Sequence, residues 1–160
     1  MAQVHKTVLV EYSAAHMRDL VEDVLAYPQF LPWCGGSAIR SQEDLVTVAS
    51  VTIDFHGVKQ TFTTRNTRVT DSLLNIALVD GPFKRLEGHW KFVPLVEPGE
   101  GGAVLGCKVE LALEYEFSSR ILERLIGPVF ARICDTFVDC FVSRADQLKA
   151  ADKLNTLNAL

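Results

Sequence analysis

The chain has 160 residues, a net charge of −4 and a hydrophobic fraction of 48%. These values are typical of one globular domain, which at this length needs no metal or disulfide to be stable. The first residues lack the apolar stretch of a secretory signal, and no uncharged run could span a bilayer, so we expect a soluble, cytoplasmic protein. The four cysteines form no CxxC pair, which predicts reduced, buried thiols rather than a zinc site.

The N-terminal part predicts a strand and two short helices. Residues 3–11 are rich in Val and Thr and alternate weakly, which is typical of a strand. Ser13 is a good N-cap for an amphipathic helix over residues 14–26. Pro28 cannot continue that helix, so residues 27–33 predict a short aromatic turn or a second helix.

The middle of the chain predicts a series of strands joined by turns. They are expected at residues 37–42, 45–55, 58–70, 72–79, 86–94 and 103–117. In the last of these, apolar residues alternate with charged ones from Ala103 and Leu105 to Phe117, which indicates one buried and one wet face. No helical pattern separates the middle strands, so the sheet is predicted to be antiparallel.

The C-terminal part predicts a long helix over residues 119–149, broken or kinked at Gly127 and Pro128. Residues 150–160 lack periodicity, and we expect a flexible tail there, so the domain is placed at residues 1–149. The sheet and the helix each have one apolar face that needs cover. The sequence therefore predicts an α+β fold in which a curved antiparallel sheet wraps around the C-terminal helix.

Several segments resemble one known family. They are residues 10–13, 27–37 (YPQFLPWCGGS), 51–66, 80–90 (DGPFKRLEGHW) and 125–130. Together they resemble the bacterial ribosome association toxins, which are similar to the mitochondrial coenzyme-Q-binding START-domain proteins of the polyketide cyclase and lipid transport superfamily. The resemblance covers the predicted domain and implies a START-like helix-grip fold, in agreement with the element order above.

The resemblance also implies a function. It implies that ubiquinone or a similar isoprenoid lipid binds between sheet and helix, so that the protein acts as a carrier or chaperone supporting respiration. For the bacterial members it implies association with the large ribosomal subunit and inhibition of subunit joining, as part of a toxin–antitoxin pair. Transient membrane contact is compatible with lipid transport, and no DNA partner is expected. A polyketide cyclase-type enzyme acting on an aromatic substrate is the alternative.

A lipid site needs a concave apolar surface with few polar groups. Arg65 is the polar candidate, because it could bond a carbonyl oxygen if it points inward. The complete set of candidate ligand-binding residues is Phe30, Leu31, Trp33, Phe62, Arg65, Leu78, Phe83, Trp90, Phe92, Phe130, Ile133 and Phe137. We expect Trp33 and Phe83 to lie in loops at the mouth of the cavity.

Residues 58–91 are locally basic, with six Lys and Arg against three Asp and Glu. One interpretation is a solvated strand face, and the other is a contact surface for an anionic partner such as ribosomal RNA. The candidate RNA contacts are Lys59, Arg68, Lys84, Arg85 and Lys91.

The sequence contains no HExxH, P-loop or GxSxG motif. Glu110, Glu114 and Glu116 share the wet face of the last strand and are interpreted as solvated. His89 is out of phase with Trp90, which favours an outer-face position over a general base. We therefore predict a protein that is not an enzyme, with no catalytic residue, cofactor or metal.

Overall fold

A computed structural model describes residues 1–99 and 101–158 of the chain. The elements in chain order are β1 (Ala2–Val10), α1 (Ala14–Glu22), a 3-10 turn (Val24–Ala26), α2 (Tyr27–Phe30), β2 (Cys34–Glu43), β3 (Val46–Phe55), β4 (Val58–Thr70), β5 (Leu73–Asp80), β6 (Phe83–Val96), β7 (Val104–Phe117) and α3 (Arg120–Asn158). The predicted order of a strand, two short helices, six strands and a long helix is confirmed.

The strands form one antiparallel sheet in the order β1-β7-β6-β5-β4-β3-β2. Each strand from β2 to β6 pairs with the strand that follows it in the chain, and β1 pairs with β7 so that Val10 lies opposite Cys107. The apolar face of the sheet packs on α3. The predicted START-like helix-grip fold is therefore confirmed.

The core lies between the inner face of the sheet and α3. Phe92 on β6, Leu111 on β7 and Phe141 on α3 are fully buried. On β7 every second residue from Cys107 to Phe117 is buried, because successive side chains of a strand point to opposite faces. Burial of this stripe against the apolar stripe of α3 is the main contribution that stabilises the fold.

The predicted N-cap of α1 is confirmed, since the Ser13 Oγ accepts a hydrogen bond from the His16 N–H at 3.0 Å. The helix is shorter than predicted and ends at Glu22. The Asp23 N–H donates to the Asp19 carbonyl, and the chain then continues as the 3-10 turn. This turn redirects the chain so that α2 packs over the edge of the sheet near β2.

The prediction for the final helix is corrected in two respects. The helix runs through Pro128 without a break, and Ile126 and Phe130 on either side of the proline are both buried in the core. It also continues past residue 149 to Asn158, with an exposed final segment. The division between a domain and a separate tail stays a prediction.

Two further predictions are wrong at the start of strands. Phe83 does not lie in a turn but begins β6, where it is buried opposite Phe117. Leu105 does not share the buried face of β7, because the pairing of β6 with β7 shifts near Gly106 and leaves this leucine exposed. None of the helices described, including the long α3, has a stretch apolar enough to cross a membrane.

Candidate ligand-binding cavity

An apolar cavity of about 80 Å³ lies between the sheet and α3. Its walls are the inner faces of β3 to β7, one side of α3, and the segment from the 3-10 turn to the start of β2. The lining residues are Val24, Tyr27, Trp33, Ala49, Val51, Ile53, Phe62, Thr64, Asn66, Ile76, Leu86, Leu113, Phe130, Ile133, Cys134 and Phe137.

The α3 wall explains why space remains. Phe130, Ile133, Cys134 and Phe137 follow one another at helical spacing, so they share one face of the helix. The phenylalanines at the two ends of this stripe are longer than Ile133 and Cys134 between them, and all four line the cavity. The α3 wall is therefore shortest in its middle.

Aromatic contacts hold these end residues in place. The Phe137 ring meets the rings of Trp33 and Trp90 edge-on, at centroid distances of 5.8 and 5.7 Å. Phe130 meets Tyr115 at 4.7 Å and Phe62 at 6.3 Å. Edge-to-face pairs at such distances add to the energy of area burial, so both ends of the cavity are well packed.

The polar groups of the cavity are few and neutral. The Thr64 Oγ1 donates to the Asn66 Oδ1 at 3.0 Å. Burial raises the pKa of the Tyr27 hydroxyl, which donates to the Val21 carbonyl. Burial also raises the pKa of the Cys134 thiol to about 12. Neither group ionises near neutral pH, so the cavity suits an uncharged ligand.

A surface groove of about 230 Å³ lies directly outside the cavity. Its lining residues are Pro32, Trp33, Phe55, Val129, Arg132, Ile133, Thr136 and Cys140. Trp33 and Ile133 line both the groove and the cavity, so these two side chains lie at the boundary between the interior and the surface.

The structure brings five of the predicted ligand residues together around the cavity, namely Trp33, Phe62, Phe130, Ile133 and Phe137. The others do not line it. Leu31, Phe83, Trp90 and Phe92 are packed in the core, and Phe30 and Leu78 are half-buried.

Arg65 does not point inward, so it does not meet the condition for bonding a carbonyl oxygen of the ligand. Inward positions on β4 are occupied by Phe62, Thr64 and Asn66, so Arg65 points to the outer face and is exposed. It cannot bond a ligand inside the cavity, because the sheet lies between its side chain and the interior. Trp33 does lie between the surface and the cavity, in the short connection before β2, as predicted.

Much of the lining was not predicted from the sequence, because the candidates were mainly phenylalanines and tryptophans. The missed residues are Val24, Tyr27, Ala49, Val51, Ile53, Thr64, Asn66, Ile76, Leu86, Leu113 and Cys134. Alternation on β3 would have identified Ala49, Val51 and Ile53 as inward residues. Cys134 could have been found because it lies four residues after Phe130 and three before Phe137, which places it on the same helix face.

The predicted RNA contacts do not form one basic surface. Arg68 binds Glu22 of α1, with its Nε 2.9 Å from the carboxylate, and Arg85 binds Glu87 in the same way at 2.9 Å. Other residues of this set lie across from acidic residues, Lys59 from Asp54 and Lys91 from Glu110. Lys84 is exposed and forms no ion pair within the described part of the chain.

His89 lies on the outer face of the sheet, as predicted. Its Nε2 is 3.4 Å from a carboxylate oxygen of Glu110, and the His5 Nε2 is 3.5 Å from the same oxygen. The hydrogen bond from His89, with a further contribution from Lys91, holds the pKa of the Glu110 carboxyl below its usual value. These groups are separated from the cavity by the sheet.

Comparison with known proteins agrees with this architecture. Residues 10–142, most of the chain, match the family described as polyketide cyclase / dehydrase and lipid transport. The chain belongs to this family. A relative named ribosome association toxin RatA, from Vibrio cholerae, is 43% identical over 148 residues, which cover 92% of this chain and 98% of that protein.

Two other similar proteins extend the comparison. The mitochondrial coenzyme Q-binding protein COQ10 homolog B of Xenopus laevis is 27% identical over 138 residues, which cover 86% of this chain and 55% of that protein. The solution structure of an 18 kDa protein from Caulobacter crescentus is 30% identical, with a TM-score of 0.68 and coverage of 94% of this chain and 99% of that one. The predicted resemblance to the toxin and coenzyme-Q-binding START proteins of this family is confirmed.

Proposed function

We propose that this member of the polyketide cyclase / dehydrase and lipid transport family is a carrier that binds ubiquinone or a similar isoprenoid lipid without converting it. The observation that carries the proposal is the neutral, apolar cavity between sheet and α3, which adjoins a surface groove and shares two lining side chains with it. The coenzyme Q-binding relative supports the choice of ligand, since its name refers to that quinone.

The size of the space requires that the ligand opens it. Sites for small molecules measure roughly 300 to 1,000 Å³, whereas the closed cavity holds about 80 Å³. The adjoining groove adds about 230 Å³ once the Ile133 side chain moves aside while Trp33 stays in place. The joined spaces suit a ring-sized head group, with an isoprenoid tail leaving along the groove.

The proposal is tested on protein purified under native conditions from the organism that makes it. Native mass spectrometry is expected to show a bound isoprenoid quinone, and the protein is expected to extract ubiquinone from liposomes. If the protein is purified only in the unbound form and takes up no quinone from liposomes, the carrier proposal is wrong.

We also propose that the protein associates with the large ribosomal subunit and hinders subunit joining. The relative named ribosome association toxin supports this, because it matches nearly the whole chain at 43% identity. Lys84 lies near the start of α3, since the Ser118 N–H donates to the Pro82 carbonyl at 3.0 Å. Arg120 and Arg124 on the first turns of α3 are exposed at the same end of the molecule.

A sedimentation experiment tests the ribosome proposal. Protein added to ribosomal subunits should move with the large subunit and lower the fraction of monosomes. Charge reversal by Lys84→Glu should weaken this association and lower its salt dependence by about one unit of slope. Lys153→Glu, in the exposed end of α3, is the matched control. A protein that stays at the top of the gradient would contradict the proposal.

The alternative cyclase activity is described in the family's own name, and we propose that this chain lacks it. Acid-base catalysis needs a group whose pKa lies near the working pH. Tyr27 and Cys134, the ionisable side chains that line the cavity, both have raised pKa values. Formation of a cyclised product from a polyketide mimic, with loss of activity in Tyr27→Phe, would overturn this part of the proposal.

A further inference from the structure

We propose that Trp33 is the specificity-determining residue of the cavity and donates a hydrogen bond from its indole N–H to an acceptor oxygen of the ligand. A carbonyl oxygen on an otherwise apolar molecule fits this role. The inference rests on the proposed carrier function and adds to it the residue that orients the ligand and the chemistry that this residue selects.

The first observation is an unpaired donor. Trp33 is 5% exposed, and its Nε1 is buried without a hydrogen-bond acceptor among the residues that the structure describes. Buried polar groups in native proteins are nearly always paired, because a donor removed from water loses its hydrogen bond without compensation. A buried indole N–H without a partner therefore requires an explanation at this position.

The second observation is the position of this donor. Trp33 is one of the two side chains that line both the interior cavity and the surface groove. A ligand that enters the cavity from the groove contacts the Trp33 indole. An acceptor oxygen held at Trp33 would leave the apolar parts of the ligand in contact with the phenylalanines of α3 on one side and the groove on the other.

The third observation is that the protein holds the indole in place. The Trp33 carbonyl accepts a hydrogen bond from the Asp54 N–H at 2.7 Å, which ties its backbone to β3. Pro32 restricts the preceding backbone, and the Phe137 ring packs edge-on against the indole at 5.8 Å. A fixed donor loses little entropy when a ligand binds, which favours a role in recognition.

The chemistry of the donor sets the selectivity. An indole N–H can donate but cannot accept a hydrogen bond. Nearby, the Thr64 hydroxyl already donates to Asn66, so it does not compete for the same role. A ligand with a carbonyl or ether oxygen satisfies Trp33, whereas a pure hydrocarbon leaves the N–H unpaired.

The wild-type protein tests this by NMR of indole 15N–H groups. The chain has two tryptophans, so two indole signals are expected. Decylubiquinone should shift the Trp33 signal downfield and leave the signal of Trp90, which lines neither space, nearly unchanged. The matched probe is a decylbenzene of similar size without oxygen atoms. It should bind without the downfield shift.

Affinity measurements provide the second test. Trp33→Phe keeps an aromatic ring and removes the donor, so it should weaken decylubiquinone binding about two- to tenfold and leave decylbenzene binding unchanged. Trp90→Phe is the control that removes a buried indole from the core.

The outcomes separate this inference from the carrier function. If both probes bind, but the Trp33 signal does not shift and Trp33→Phe affects both equally, the inference is wrong and the carrier function stands. If neither probe binds the wild-type protein, the carrier function is wrong, and the inference is wrong with it.

Discussion

Ala49 shows how one small side chain contributes to the cavity. It is buried on β3, points to the inner face of the sheet and lines the cavity, while its neighbours in register are Ile39 on β2 and Thr64 on β4. A methyl group at this point leaves space that a larger side chain would fill. The cavity therefore depends on Ala49 as well as on the residues of α3.

We predict that Ala49→Val reduces lipid binding without a large loss of stability. The added methyl groups occupy cavity space, so the free energy of unfolding should change by no more than about 1 kcal/mol. Ala145→Val is the control, because Ala145 is fully buried on α3 and does not line the cavity. It should destabilise the protein by about 1 to 3 kcal/mol and retain binding. Urea unfolding and liposome extraction measure the two effects, and unchanged quinone uptake by Ala49→Val would place the ligand elsewhere.

Glu110 makes the stability of the outer face dependent on pH. Its carboxyl pKa is lowered in the folded protein, chiefly by the hydrogen bond from His89. The folded state therefore binds this proton less readily than the unfolded chain does. The stabilisation is complete above the pKa of the unfolded chain and is lost as the pH falls through the lower, folded value.

The variant Glu110→Gln should remove this part of the pH dependence. Between about pH 6 and pH 3 the wild-type protein should lose more unfolding free energy than the variant does. Glu116→Gln is a matched control on the same strand, at a position that forms no contact with His5 or His89. Equal pH profiles for the wild type and Glu110→Gln would show that the contact contributes nothing to stability.

At the scale of elements, the pairing of β6 with β7 depends on the close approach of two backbones. A Cβ added at Gly88 would lie 2.0 Å from the Ala112 carbonyl oxygen and 2.9 Å from the Leu113 Cα. Both are backbone atoms of β7, which pairs with β1 on one side and β6 on the other, so neither can move without disturbing the ladder. Glycine at this position is required by space rather than by backbone conformation.

We predict that Gly88→Ala destabilises the protein by about 3 kcal/mol, because the strands must separate or twist locally. Gly36→Ala is the matched control, since a Cβ there meets nothing within 4 Å. Its effect should stay within about 0.5 kcal/mol. Chemical denaturation of both variants measures the difference, and equal stabilities would mean that the two backbones can separate at little cost.

At the scale of the whole molecule, the cavity couples ligand binding to folding. The cavity walls come from β3 to β7, α3 and the segment around α2, so the site exists only when the sheet grips the helix. A ligand that binds only the folded state stabilises it by mass action. The interior that the ligand completes is the same interior that holds the sheet and the helix together.

Saturating decylubiquinone should therefore raise the melting temperature. At a free ligand concentration about 100 times the dissociation constant, the gain in unfolding free energy is about 2.7 kcal/mol. The variant Ala49→Val should show a much smaller shift under the same conditions, and decanol serves as a control for general effects of an apolar solute. Equal shifts with the quinone and with decanol would argue against a specific site.

Much of the fold could be predicted from the sequence, because its signals are local. The alternation on β7 and the helical stripe of Phe130, Ile133 and Phe137 reflect the geometry of a strand and a helix, which needs no distant partner. The N-cap role of Ser13 is also a local signal, because a capping residue bonds to the first turn of its own helix. These patterns, with the order of elements, determined that a sheet would cover one long helix.

Only the tertiary structure decided which side chains meet in the interior. Arg65 was a candidate ligand residue, but the alternation of side chains along β4 places it on the outer face. Arg68 binds Glu22, which lies at the end of α1 and far from it in sequence. The cavity and the unpaired indole of Trp33 have no sequence signature. A void is the difference between the space enclosed by elements distant in sequence and the volume of the side chains that fill it, so it is set by their packing and not by any local pattern.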